Sequence, residues 1–92
     1  MENIKRICKL LENLFNNPKD VRFEDLDKLL KAFDYEVRQP RGGSSHYVYR
    51  KKGKEMLITI PYKKPVKQYY VKQVIKLLEL EDYYEENCKR KY

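Results

Sequence analysis

The sequence has little of several residue types from which structural and catalytic sites are often built. Its 92 residues include one histidine, two cysteines and three glycines, and no tryptophan. Two cysteines near opposite ends, even with the histidine, fall short of the roughly four nitrogen or sulfur ligands that a zinc site takes. We therefore expect no metal and no other cofactor.

Long apolar runs are also missing. No segment approaches the ~20 apolar residues that span a bilayer, and the first residues lack the apolar region and small-residue cleavage site of a signal peptide. A cytoplasmic protein without a membrane partner is the expectation. Because that compartment is reducing, we expect Cys8 and Cys88 to stay unpaired. Cys8 follows Ile4 and Ile7 at helical spacing, which indicates a core position.

Acidic residues are nearly absent from the middle of the chain. Residues 38–76 contain eleven lysines and arginines and a single acid, Glu55, and so carry a charge of +10. The flanking segments are slightly acidic, with −1 over residues 1–37 and −2 over residues 77–92. A confined positive segment attracts polyanions and releases counterions from each phosphate that it neutralises. This distribution favours a nucleic-acid partner, and it leaves too few carboxylates there for a metal-dependent nuclease.

The spacing of apolar residues predicts the element order α-α-β-β-β-α. Amphipathic helices are expected over residues 3–15 and 23–33, where apolar residues recur at three- and four-residue steps. Three strands are expected over residues 35–40, 45–51 and 55–60, joined by glycine turns into an antiparallel meander. Pro61 is expected to end the third strand and Pro65 to lie in the first turn of the closing helix. Residues 82–86 are compatible with further helix.

These elements predict a single α+β domain with a three-stranded antiparallel sheet and helices on one face. Without its first helix, the order is that of the double-stranded-RNA-binding fold. Residues 1–20 would then be an accessory N-terminal helix, residues 23–80 the core and residues 81–92 a C-terminal extension.

The only histidine opens the second predicted strand. Alternation places His46, Val48 and Arg50 on one face of that strand, and Arg50 indicates that this is the solvent face. The side chains expected to point towards the helices are the alternate ones on the second and third strands: Tyr47, Tyr49, Ile58 and Ile60.

A histidine at such a position suits RNA cleavage. With an ordinary pKa of about 6.5, its imidazole can accept and return a proton near neutral pH. RNA carries its own nucleophile, the 2′-hydroxyl, and nearby cations can stabilise the charged phosphorane without a metal. The residues alone leave open that His46 is an ordinary surface histidine, and that Gly42 to Ser45 form either a phosphate-binding loop or a simple turn. Tyr69 and Tyr70 are interpreted as the edge of the core rather than as base-stacking residues.

Residues 23–80 resemble the HicA toxin family, also called YcfA-like proteins. The matching features follow the family order of helix, strand, Gly-Ser-His, glycine turn, Thr-Val-Pro-like triplet, basic link and closing helix: Leu26 to Phe33, Tyr35 to Arg38, Gly43-Ser44-Ser45-His46-Tyr47, Lys52-Gly53-Lys54, Thr59-Ile60-Pro61, Lys63-Lys64 and the helix from Val66. Two features differ, because an additional serine precedes His46 and Tyr47 replaces a second histidine.

The resemblance implies the toxin of a type II toxin–antitoxin pair, which cleaves mRNA without a metal through His46 as general acid and base. The implied RNA- and phosphate-binding residues are Arg41, Gly43, Ser44, Ser45, Arg50, Lys63 and Lys64. The implied protein partner is a HicB-like antitoxin that covers the RNA surface, and the terminal segments are candidates for a homodimer or antitoxin contact. Two other readings stay open: a non-catalytic module that binds double-stranded RNA by shape, and an interaction protein that works through its terminal segments.

Overall fold

The protein is described by a computed structural model over residues 4–38 and 46–89. It is an α+β fold of the double-stranded-RNA-binding type, as the sequence predicts. The elements in chain order are α1 (Ile4–Asn16), α2 (Phe23–Ala32), β1 (Glu36–Arg38), β2 (His46–Arg50), β3 (Ile58–Pro61), α3 (Gln68–Leu77), α4 (Leu80–Tyr84) and a C-terminal π-helix (Glu85–Lys89). Over the described residues, no helix combines the length and apolar character needed to cross a membrane.

The three strands form an antiparallel sheet in the order β1-β2-β3, which confirms the predicted meander. Val37 of β1 lies opposite Tyr49, and Pro61 at the end of β3 lies opposite His46. Gly53 in the β2–β3 connection has a φ of +87°, a conformation that glycine adopts without steric cost. The third strand begins at Ile58 rather than at residue 55. Ile58 is the first residue of this segment to be buried, whereas Met56 and Leu57 are exposed and add nothing to the core.

One face of the sheet packs against the helices. Tyr49, Ile58 and Ile60 are buried and Tyr47 packs against them, whereas His46 and Arg50 are exposed. The predicted assignment of inward and outward side chains on these strands is therefore confirmed. The helices supply the other half of the core through stripes at helical spacing: Ile7, Cys8, Leu11 and Leu14 from α1, Leu26, Leu29 and Leu30 from α2, and Val71 and Val74 from α3.

The closing helix begins later than predicted. Pro65 lies outside it, and the first helical residue is Gln68. Val66 instead forms an antiparallel bridge with Val21, and its N–H donates to the Val21 carbonyl at 2.9 Å. That bond fixes Val66 in an extended conformation and buries its side chain against the core, so the helix can start only after it.

The prediction of unpaired cysteines was wrong. Cys8 and Cys88 form a disulfide across 80 residues of sequence, with their Cα atoms 5.6 Å apart. The prediction rested on compartment alone, and it missed that α1 packs against the C-terminal π-helix. Side-chain contacts between α1 and α4 add to this packing. The rings of Phe15 and Tyr84 pack edge to face with their centroids 5.5 Å apart, and the Tyr84 hydroxyl donates to Glu12 at 3.2 Å. The predicted core position of Cys8 is confirmed by its burial.

Candidate nucleic-acid interface

His46 is the first residue of β2 and lies on the open face of the sheet, opposite the one covered by the helices. Its side chain is exposed, and its cross-strand neighbour on β3 is Pro61. Because His46 is exposed at the end of a paired strand, its imidazole lies at an accessible edge of the sheet. Such a position admits an extended polymer, such as an RNA strand, more readily than a small molecule.

The register of the sheet brings Arg38 close to His46. Arg38 pairs with Val48, two residues beyond His46 on the same face. A diagonal pair of this kind has its Cα atoms about 7–8 Å apart, within reach of a long side chain. Arg38 is exposed. The sequence indicates only that it belongs to the basic segment, because its relation to His46 depends on which residues of β1 and β2 pair.

Arg50 shares the face of His46, as predicted, but not its immediate surroundings. Four residue steps along the extended strand place the two Cα atoms about 13 Å apart. Glu36 lies directly opposite Arg50 on β1 and places a carboxylate beside it. Arg50 is therefore suited to a neighbouring phosphate, whereas Arg38 is better placed for a group that His46 touches.

Lys63 and Lys64 follow β3 after one residue, Tyr62, and both are exposed. Since Pro61 pairs with His46, the two lysines leave the sheet at the end where His46 lies. The Lys64 ammonium lies 5.9 Å from the centroid of the Tyr62 ring. The remaining predicted site residues, Arg41, Gly43, Ser44 and Ser45, lie outside the described residues.

An aromatic cluster that the sequence analysis missed stands beside these lysines. The Tyr62 ring contacts Phe23, with centroids 4.9 Å apart, and Tyr47 at 6.2 Å. The Tyr62 hydroxyl donates to Oε2 of Glu24 at 3.3 Å. No local pattern reveals this cluster, because Glu24 and Tyr62 are 38 residues apart in sequence and meet only through the packing of α2 on the sheet.

Beneath the open face, a partly buried hydrogen bond connects β2 to α2. The Tyr49 hydroxyl donates to Oδ1 of Asp27 at 2.6 Å, and Asp27 also pairs with Lys31 at 2.9 Å. Burial, together with the neighbouring Asp27 carboxylate, raises the pKa of Tyr49 far above its ordinary value. Tyr49 therefore stays protonated as a donor. A hydrogen bond to a charged partner contributes about 1.5–3 kcal/mol, enough to hold the strand that presents His46.

Metal-binding side chains do not cluster in the described part of the chain. Across residues 4–38 and 46–89, no three side chains of histidine, cysteine, aspartate or glutamate come together as a set that could hold a metal ion. A separate groove of about 920 Å³ lies between α1, α3 and the C-terminal helices. Apolar side chains including Phe15 and Ile75 line it, with charged residues of both signs among them.

Comparison with known proteins identifies one family. A family model for the HicA toxin of bacterial toxin–antitoxin systems matches residues 23–80. No curated protein and no solved structure matches the chain. The matched segment runs from the first residue of α2 to the first residue of α4, and so contains the whole sheet and His46, whereas α1 lies outside it.

Proposed function

The chain belongs to the HicA toxin family of bacterial toxin–antitoxin systems, and from that premise we propose that it is a metal-independent endoribonuclease that cleaves mRNA with His46. The observation that carries the proposal is the exposed histidine on the open sheet face, inside a segment of charge +10. Family membership supports the toxin role. The position of His46 and the surrounding cations support the chemistry.

The proposed reaction needs one proton acceptor and positive charge. The neutral imidazole of His46 takes the proton of a 2′-hydroxyl, and the resulting oxygen attacks the adjacent phosphorus. The P–O5′ bond then breaks, and the 5′ oxygen leaves with the proton that His46 returns. The products are a 2′,3′-cyclic phosphate and a 5′-hydroxyl. No electrons are exchanged and no water is consumed in this step.

The proposed roles of the cations differ with their distance from His46. Arg38, diagonal to His46, stabilises the extra negative charge of the phosphorane. Arg50, Lys63 and Lys64 hold phosphates on either side of the scissile one. The loop residues Arg41, Gly43, Ser44 and Ser45 are proposed to complete the phosphate site through backbone N–H groups and hydroxyls.

The proposed location is the cytoplasm, where mRNA is available, and the proposed protein partner is a HicB-like antitoxin. An antitoxin that silences this activity has to cover His46 and neutralise the basic face. In a reducing compartment, cellular dithiols would open the Cys8–Cys88 bond. We therefore propose that the fold persists with both thiols reduced and buried, because hydrophobic packing of α1 remains.

The decisive experiment compares the wild type with His46→Ala. Removal of a general acid–base group lowers the rate by about 10²–10⁴-fold. We expect the wild type to arrest growth on induction and to cleave purified mRNA in the presence of a chelator, and the variant to do neither at equal protein level. The melting temperature should not change, because His46 is exposed.

Two results would contradict the proposal. A fully active His46→Ala variant would exclude His46 as the catalyst. If both proteins bind RNA and neither cleaves it, the chain is a non-catalytic RNA-binding module, a reading that the double-stranded-RNA-binding type of fold also supports. Lys9→Ala is a matched control, since Lys9 is an exposed residue of α1 outside the segment that the family shares.

A further inference from the structure

Tyr62 is an exposed aromatic residue at the end of the sheet where His46 lies. Its side chain remains 38% exposed although its ring packs against Phe23 and Tyr47. Because consecutive Cα atoms are 3.8 Å apart and antiparallel partners at most about 5.5 Å, the Cα atoms of Tyr62 and His46 lie within about 9 Å. The Tyr62 ring packs on Tyr47 and so lies on the helix-covered side of the sheet, whereas His46 lies on the open face. A nucleotide next to a phosphodiester at His46 would therefore reach Tyr62 by passing around the end of the β2–β3 ladder.

The Tyr62 ring is held in place from several directions. The Phe23 ring packs against the Tyr62 ring at an interplanar angle of 79°. The Tyr62 hydroxyl donates to Glu24, and the Lys64 ammonium lies over the Tyr62 ring. A preorganised aromatic ring with a cation beside it is the arrangement on which single-stranded bases stack. When a base stacks there, the Lys64 ammonium is free to move to the adjoining phosphate.

Glu24 supplies a carboxylate at the edge of that ring. Its own backbone N–H, the Tyr62 hydroxyl, and the charges of Lys64 and Arg22 lower the pKa of its carboxyl, so it is ionised at neutral pH. An ionised carboxylate only accepts hydrogen bonds, and its two oxygens offer about four lone-pair sites, of which the Tyr62 hydroxyl and the backbone N–H of Glu24 use two. A carboxylate beside the cations Lys64 and Arg22 repels phosphate, and so we expect it to contribute to recognition of a base rather than to affinity for the backbone.

We propose that Tyr62 and Glu24 bind one base of the RNA beside the cleaved phosphodiester and select bases with an exocyclic amino group over uracil. The inference rests on the proposed ribonuclease function, since it assigns the specificity of the same site. Adenine, cytosine and guanine each offer an amino group to the carboxylate. Uracil offers a single N–H that lies between two carbonyl oxygens, and the carboxylate repels those oxygens.

The test measures RNA binding by the His46→Ala protein, so that the RNA stays intact whether or not the wild type cleaves it. The probes are labelled oligouridylate and the same strand with one central adenine, cytosine or guanine, compared by fluorescence anisotropy at fixed salt. We expect the substituted strands to bind roughly tenfold more tightly. Glu24→Gln should remove most of that difference, because its amide both donates and accepts.

Variants at Tyr62 separate stacking from the hydroxyl. Tyr62→Ala should weaken binding of every probe by roughly tenfold through the lost stacking, whereas Tyr62→Phe should keep the stacking and the fold. Tyr69→Ala is the matched control, because Tyr69 is 68% exposed and also packs edge to face on a tyrosine, with centroids 5.1 Å apart. It should bind like the parent protein.

Several outcomes would overturn the proposal. They are equal binding of all four probes, unchanged discrimination in Glu24→Gln, and an equal loss in Tyr69→Ala and Tyr62→Ala. Retained RNA discrimination with loss of antitoxin binding in Glu24→Gln would make this surface a protein contact instead. If discrimination is found as expected but the wild type does not cleave RNA, the ribonuclease proposal fails and base recognition by Tyr62 and Glu24 stands.

Discussion

The open face of the sheet and the terminal helices are built in opposite ways. The open face carries exposed side chains on short strands, with His46, Arg38 and Arg50 in solvent. The terminal region, in which α1 packs against α4 and the π-helix, contains the disulfide and a fully buried residue, Leu11. Only the open face lies in the segment shared with the family. The comparison indicates that the proposed chemistry lies in the shared core, whereas the disulfide and its packing lie outside that core.

The largest expected change in stability comes from the terminal region. Converting both Cys8 and Cys88 to alanine, or reducing the bond with a dithiol, should lower the free energy of unfolding by about 2–4 kcal/mol, because the bond restricts a long segment of the unfolded chain. RNA cleavage below the melting temperature should stay unchanged. Thermal denaturation with and without dithiol measures the first effect and a cleavage assay the second.

The double-alanine variant is also the control for the reductant, since dithiol should not alter it further. Equal melting temperatures of the oxidised and reduced wild type would show that the terminal region does not contribute stability through this bond. A loss of cleavage at a temperature where the variant remains folded would show that the terminal region affects activity as well as stability.

A substitution on the open face should lower the cleavage rate and leave stability nearly unchanged. Arg38→Ala should reduce the cleavage rate by about 10–100-fold, because a cation that stabilises the phosphorane is lost. Its melting temperature should change little, since exposed positions contribute within about 0.5 kcal/mol. Cleavage by Arg50→Ala should fall less, and mainly through weaker RNA binding at higher salt. If Arg50→Ala shows the larger fall in rate at saturating RNA, the assignment of Arg38 is wrong.

A third substitution tests the hydrogen bond between Tyr49 and Asp27, which joins the sheet to α2. The pKa of Tyr49 is raised in the folded state, so its contribution to stability is fully present below about pH 10, the ordinary tyrosine pKa, and declines as pH rises beyond it. Tyr49→Phe should unfold about 1.5–3 kcal/mol more easily at neutral pH, because Asp27 loses its donor. The free energy of unfolding of this variant should also decrease less than that of the wild type as pH rises above about 10. Denaturant titrations at neutral and alkaline pH test both statements, and parallel curves for the two proteins would contradict the second.

Local patterns in the sequence predict the elements and their inward faces well. Period-two alternation places Tyr49 and Ile60 inside and His46 outside, because side-chain direction on a strand depends only on parity. The start of β3 and of α3 depends instead on pairing with distant residues, such as Val66 with Val21. The pairing of Cys8 with Cys88 and the contact of Tyr62 with Glu24 are likewise products of tertiary packing, which no local pattern encodes.

The candidate site also contains residues that the sequence identifies and residues that only the tertiary structure identifies. His46 stands out in the sequence as a lone histidine beside a glycine turn, and the lysines after β3 stand out by charge. Arg38 is one arginine among eleven basic residues of its segment until strand register distinguishes it. A search of sequence alone therefore identifies the chemical group, and the pairing of strands identifies its neighbours.

The bond between Cys8 and Cys88 turns all but the two ends of the chain into a covalent ring. A protease that cuts this ring once, for example at the exposed turn around Gly53, leaves two pieces that remain one molecule. Those pieces separate only after reduction and denaturation. A chain nicked in this way would migrate as one species on a non-reducing gel, and a fragment would be released only by a second cut or after reduction of the disulfide.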